Sequence, residues 1–173
     1  TNSHYVCVSR PRRFGKTFAT KMMCAYYSKG CNSREMFKNL KISKADSYEK
    51  YLNKLNFISI DVASEYHNAA NKNFTLKQLT LKLKNEFVSQ FPNIDFSIAE
   101  SLADCILTVY AKTKETFVII LDEYDSLVRN QFGTDLFSEY LEFLNAVCDH
   151  INETAEDVKV SIHSATKNNG VRL

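Results

Sequence analysis

Glycine and proline are scarce in this chain, whose 173 residues include four of one and two of the other. That scarcity argues against long linkers, and the length suits one domain with a buried core. Charge of one sign is missing as well. The net charge of +2 is too small to draw the chain to nucleic acid or a membrane by electrostatics alone. No apolar run approaches the roughly 20 residues that span a bilayer, and no signal peptide is visible. The five cysteines, Cys7, Cys24, Cys31, Cys105 and Cys148, include no C-x-x-C pair. An odd, scattered set suits reduced, buried thiols rather than a disulfide framework, so we expect a soluble intracellular protein of cytoplasm or nucleus. The histidines His4, His67, His150 and His163 lack metal-site spacing. Neither a nucleophile elbow nor a paired histidine marks a serine or cysteine hydrolase. No internal repeat or low-complexity tract is present.

What is there begins with Arg10-Pro-Arg-Arg-Phe-Gly-Lys-Thr17. It follows the β-like segment Tyr5-Val-Cys-Val-Ser9 and precedes a helical apolar pattern. A strand feeding a loop that ends Gly-Lys-Thr at the mouth of a helix is the arrangement of a phosphate-binding P-loop. Gly15 lets the backbone wrap an oxyanion, and successive N–H groups with the helix dipole favour phosphate. Lys16 can reach the β- and γ-phosphates, and the Thr17 hydroxyl can ligate Mg²⁺. Position 10 carries Arg10 where G-x-x-x-x-G-K-T has its first glycine. The loop interior is stiff and cationic, and a basic surface turn is the competing reading. Arg12 and Arg13 are open between phosphate contact, salt bridges and an exposed basic rim, with the rim ranked first.

A second motif lies downstream at Phe117-Val-Ile-Ile-Leu-Asp-Glu123. Five apolar residues read as a strand buried on both faces, as in a parallel sheet. The strand then ends in two adjacent carboxylates, which core packing does not favour. This is the form of a Walker B element: Asp122 holding Mg²⁺, Glu123 polarising the attacking water. A solvated acidic turn, with Asp125 capping the next helix, is the alternative.

Between the motifs, Phe18, Met22, Ala25 and Tyr26 predict an apolar helix face packed on a sheet. Residues 28–50 read as a connection with a small packing patch of Met36, Phe37, Leu40 and Ile42. A second strand is expected over 57–62, with Asp61 near its end either facing a ligand or capping a turn. Residues 68–73 read as a surface loop. Two helices follow, striped by Leu76, Leu79, Leu83 and Phe87, then by Ile98, Leu102, Ile106, Val109 and Tyr110, with Pro92 between them. A long helix after Gly133 carries Leu136, Tyr140, Leu144, Val147 and Ile151. Val158, Val160 and Ile162 alternate as a last strand, ending at His163, Ser164 and Thr166. Those three are open between a γ-phosphate sensor and a capped strand end. The order predicts a parallel α/β sheet with helices on both faces. Both motifs fall at carboxyl ends of strands, where such sheets bind ligands.

These residues resemble the AAA-ATPase-like family of P-loop proteins, whose members often carry a PD-(D/E)XK nuclease-like domain after the ATPase. Arg-Pro-Arg-Arg-Phe-Gly-Lys-Thr17 and Leu-Asp-Glu-Tyr-Asp125 carry the likeness, and arginine at position 10 is part of the family's pattern. Met36-Phe-Lys-Asn-Leu-Lys-Ile42 resembles its LF-x-G-L-x-I stretch, with Asn39 for the glycine. Phe57-Ile-Ser-Ile-Asp61 resembles its second strand, and Thr108-Val-Tyr-Ala-Lys112 its approach to the Walker B strand. The likeness covers about positions 5 to 130.

The resemblance implies an α/β, three-layer P-loop NTPase fold with a parallel sheet of the additional-strand type. In it one strand, here 158–162, separates the P-loop strand from the Walker B strand. The chain, starting at Thr1 and running out after that strand, is expected to be a partial domain over 1–173, truncated at its C-terminus. Its strand 5–9 would be an exposed edge, and the chain alone marginally stable. The expected activity is ATP binding and Mg²⁺-dependent hydrolysis of the γ-phosphate. Glu123 and Lys16 are the catalytic residues; Arg13, Phe14, Gly15, Lys16, Thr17 and Phe18 hold the nucleotide; Thr17 and Asp122 hold the metal. A regulatory scaffold with little turnover and a P-loop small-molecule kinase are the alternatives; retention of Glu123 and Lys16 speaks against the first, and Glu123 discriminates against the second. Expected partners are a nucleotide and either self-association or a C-terminal domain, with nucleic acid by family analogy alone and no membrane.

Overall fold

Runs of β-branched and aromatic residues form the strands, as their packing against a pleated surface favours. The computed structural model describes residues 5–9, 14–68, 75–147 and 159–164. Within them β1 (Tyr5–Ser9), β2 (Asn56–Asp61), β3 (Phe117–Asp122) and β4 (Lys159–Ser164) form one parallel sheet in the order β1-β4-β3-β2. One row of paired residues crosses all of them: Cys7 faces Ile162, Ile162 faces Leu121, and Leu121 faces Ile60. Within two residues of that row the strands end, at Ser9, Ser164, Asp122 and Asp61, all on the same edge of the sheet. The last strand lies between β1 and β3, the position expected of it, and β1 is an edge of the described sheet. Val158 itself is outside the described residues.

Helix α1 (Lys16–Tyr27) follows β1 and packs on β2 and β3. Two single-turn helices, α2 (Arg34–Phe37) and α3 (Tyr48–Tyr51), flank a 3₁₀ turn at Lys41–Lys44. After β2 come α4 (Val62–Asn68), α5 (Leu76–Gln90) and α6 (Leu102–Thr113); after β3 come α7 (Asp125–Gln131) and α8 (Asp135–Asn145). Sequence signals start the longer ones. Thr75 Oγ1 accepts from Gln78 N, Thr134 Oγ1 accepts from Phe137 N, and Ser101 with Asp104 forms a reciprocal capping box.

Every residue of β3 is buried. Its Phe117, Ile119 and Leu121 join a core with Ile60, the α5 stripe of Leu76, Leu79, Leu83 and Phe87, and Leu102, Ile106 and Val109 of α6. Strand alternation turns Val118, Ile120 and Asp122 to the opposite face. Burying one such side chain stabilises by about 1.5–3 kcal/mol, and Phe87 adds a ring stacked on Phe117 at 5.9 Å. A smaller cluster of Tyr26, Phe37, Tyr48 and Leu52 closes the outer side of α1.

The rear of α1 is tied down by one side chain. Asn53 Nδ2 donates to Ala25 O at 2.9 Å and Ser28 O at 3.2 Å, and Asn53 Oδ1 accepts from Ser33 N at 3.1 Å. The Asn53 backbone N–H adds a bond to Tyr26 O at 2.7 Å, and Ser28 bridges to Leu55 just ahead of β2.

Several expectations are corrected. Phe18 is 68% exposed; the inward positions at the front of α1 are Lys16 and Thr20. Residues 16 and 18 lie about 200° apart around a helix, so polar groups displace the apolar stripe there. Of the expected packing patch only Phe37 is buried, while Met36, Leu40 and Ile42 are exposed. Phe37 packs on Tyr26, Tyr48 and Leu52, which the sequence pattern did not link to it. Val62 opens α4 instead of ending β2, and Ile98 lies outside α6, 88% exposed, because the capping box at Ser101 sets the helix start. Asn68, expected to open a surface loop, ends α4 instead, and the rest of that expected loop lies outside the described residues. Ile151 also lies outside them. No helix among the described residues is long and apolar enough to cross a membrane.

Candidate functional site at the strand ends

Gly15 caps α1 with φ 78° and ψ 18°, a left-handed conformation that glycine adopts freely. Its carbonyl accepts the first helical bond, from Ala19 N at 2.9 Å. Lys16 then opens the helix with its side chain buried, 9% exposed, and its carbonyl accepts from Thr20 Oγ1 at 3.2 Å. Thr17, Phe14 and Phe18 stand exposed around it. Arg13, like Arg10 and Arg12, lies outside the described residues, as does Thr166; for His163 and Ser164 the structure gives the backbone.

The second half of the site follows β3. Asp122 is 3% exposed, and its Oδ1 accepts from Glu123 N at 3.1 Å. Glu123 has φ 53°, a left-handed backbone carried by a non-glycine residue. Its carbonyl accepts from Ser126 N at 2.9 Å, which starts α7. Burial pushes the Glu123 carboxyl above its ordinary value of 4.5; Asp122, Asp125 and Asp61 add to the rise and Arg129 opposes it. Asp125 is the first residue of α7 and pairs with Arg129, whose Nη1 is 3.1 Å from Asp125 Oδ2 and whose Nη2 is 3.8 Å from Glu123 Oε2. Asp61 acts as a cap: its two oxygens accept from Ser64 N at 2.9 Å and Ser64 Oγ at 2.8 Å.

The site therefore joins Asp122, Glu123, Asp125 and Arg129 in one cluster, at the sheet edge toward which β1 also runs. Sequence reasoning missed Arg129, although the i, i+4 spacing from Asp125 was visible. A magnesium ion fits the residue types present. A buried strand-end carboxylate and a hydroxyl in the first turn of α1 are hard oxygen donors, and Mg²⁺ is held by one or two such groups with water and phosphate completing its shell. The described residues contain no cluster of three or more His, Cys, Asp or Glu with metal-holding geometry. A cavity of about 520 Å³ at the amino ends of β2 and β3, lined by Asn56, Phe87 and Phe117 among others, shares no residue with this site.

A strand edge gathering a Gly-Lys-Thr helix start and a strand-end Asp-Glu pair belongs to the nucleotide-binding class of parallel α/β proteins. The family model described as "Predicted AAA-ATPase" matches residues 1–164, and the chain belongs to that AAA-ATPase-like family. No curated protein and no solved structure matches the chain.

Proposed function

We propose that this chain is an ATP-binding, Mg²⁺-dependent P-loop NTPase module that hydrolyses the γ-phosphate. Its fold in this reading is the three-layer P-loop arrangement of the additional-strand type, with residues 1–173 in the ATPase domain. One observation carries the proposal. The parallel order β1-β4-β3-β2 brings the strand that leads to Gly15-Lys16-Thr17 and the strand that ends in Asp122-Glu123 out at one edge, with one strand between them.

Lys16 and the loop amides hold the phosphates, with Arg13, Phe14, Gly15, Thr17 and Phe18 bordering the nucleotide. Thr17 and Asp122 hold Mg²⁺, which when bound neutralises charge on the phosphate oxygens. Glu123 orients water in line with the γ-phosphorus and takes its proton. The new bond joins water oxygen to phosphorus, and the bond to the β–γ bridging oxygen breaks with its electron pair leaving on ADP. Catalysis is then mostly positioning and charge neutralisation.

Calorimetry and turnover test this in two steps. Lys16→Ala should lose most of its ATP affinity while keeping the fold. Glu123→Gln should keep ATP bound and lose turnover by on the order of 10²–10⁴-fold. Undiminished ATP affinity in the Lys16 variant would sink the phosphate-loop assignment.

A further inference from the structure

We propose that Arg129 is a positioning residue for hydrolysis: anchored on Asp125, its guanidinium aims the Glu123 carboxylate. The inference rests on the reading of Glu123 as the group that polarises water. Three facts carry it. The backbone on either side of Glu123 is fixed, by Asp122 Oδ1 on its N–H and Ser126 N on its carbonyl. Helix α7, which bears Arg129, is fixed too: Leu127 is fully buried, Ser126 is buried, and Tyr140 Oη of α8 donates to Tyr124 O at 2.8 Å. Between these two rigid parts Glu123 has a long side chain with free torsions, and the guanidinium fork spans it and Asp125, at 3.8 and 3.1 Å.

A guanidinium presents several N–H donors in one plane, so it can hold one carboxylate and orient a second; an ammonium is a point charge and does this poorly. The Asp125 contact is the shorter, which makes it the anchor and leaves the Glu123 contact the adjustable one. Partly exposed ion pairs of this kind, here one on the carboxylate that follows the strand-end aspartate, contribute little to stability. Aiming that carboxylate is the larger use of the contact.

The test is steady-state ATP turnover of the purified chain with Arg129→Met, Arg129→Lys, Glu123→Gln and the Glu123→Gln/Arg129→Met pair. Misplacing a reacting group by an ångström costs up to about 10²-fold, so Arg129→Met should lower kcat by roughly 10- to 100-fold with KM for ATP nearly unchanged. Arg129→Lys should fall between it and the parent. In the Glu123→Gln background the second change should add nothing, because residues acting as one unit are non-additive. Parental kcat in Arg129→Met, a faster kcat, equal proportional losses in the two backgrounds, or a joint shift of KM and kcat would each overturn the inference. If Arg129→Met does not fold, Asp125→Asn decides, since it frees the anchor while keeping the guanidinium; it should show the same kcat loss at constant KM. Undiminished turnover in Glu123→Gln would instead remove the underlying reading.

Discussion

Gly15 and Glu123 occupy matching places in this molecule. Each follows a parallel strand at the same sheet edge, each has a left-handed backbone, and a helix starts just beyond each. One turn uses the residue for which that conformation is free. The other uses a charged, β-carbon-bearing residue for which it costs about 1–2 kcal/mol. Under the proposed function the difference reflects what each turn is built around. There the Gly15 backbone is the working part, and a side chain would only intrude. The Glu123 side chain is the working part in the same reading, and the backbone tolerates strain to keep it at the end of β3.

The largest effect should come from exchanging the two solutions. Glu123→Gly relieves the left-handed strain but removes the carboxylate, so turnover should fall by on the order of 10²–10⁴-fold while the melting temperature rises. A fall in both would break the comparison, and paired assays of ATP turnover and thermal unfolding would show it. Next comes the converse. Among the described residues no atom lies within 4 Å of a Cβ built at Gly15, so Gly15→Ala tests chiefly the backbone term. Urea titration should find a loss of about 1–2 kcal/mol, and Gly15→Asn should lose less because asparagine tolerates this region.

A smaller effect follows from charge. The folded-state pKa of Glu123 is raised above its ordinary 4.5. Its relative contribution to stability is therefore fullest below that pH and is lost as pH rises through the folded value. Glu123→Gln should accordingly melt above the parent at neutral pH, with the gap closing in acid; a gap that is constant with pH would remove the electrostatic part of the argument.

The smallest effect lies at the other end of β3. Glu115 is held below its ordinary 4.5 by the Lys29 hydrogen bond at 2.6 Å, with Asn56 adding to the shift and burial opposing it. Its contribution is present above 4.5 and is lost as pH falls through the lowered value. Both side chains are more than a third exposed, so Lys29→Met should cost only about 0.2–1 kcal/mol at neutral pH. That loss should fade as pH falls through the lowered value, as pH-dependent denaturation curves would report. Two glutamates flanking one strand thus respond to acid in opposite senses.

How much of this was legible in the sequence depended on how locally each feature is determined. Phe117 to Leu121 is apolar at every position, which only a strand covered on both faces requires, and the structure buries every one. The stripe Leu76, Leu79, Leu83 and Phe87 was equally plain, since 15 helical residues repeat one period. Helices α4 and α7 have seven residues each, below the length at which propensity stabilises a helix. Packing under neighbours decides them, and neither showed an apolar period in the sequence. Phe18, Met36 and Ile98 are apolar yet exposed, and composition cannot separate them from core residues. At the candidate site, Gly15, Lys16, Asp122 and Glu123 could be placed at strand ends by motif and spacing. Arg129 became visible once α7 wound its side chain back toward Asp125 and Glu123.

Asn53 has a mechanical consequence. By bonding Ala25, Tyr26 and Ser28 it makes the rear of α1 a fulcrum welded to the start of β2. A rod held at one end can tilt but cannot slide along its own axis. The front of α1, about 18 Å away for 12 residues at 1.5 Å each, is then the long arm of a lever. A tilt of a few degrees at Ser28 displaces Gly15 and Lys16 by about an ångström, sideways across the strand ends.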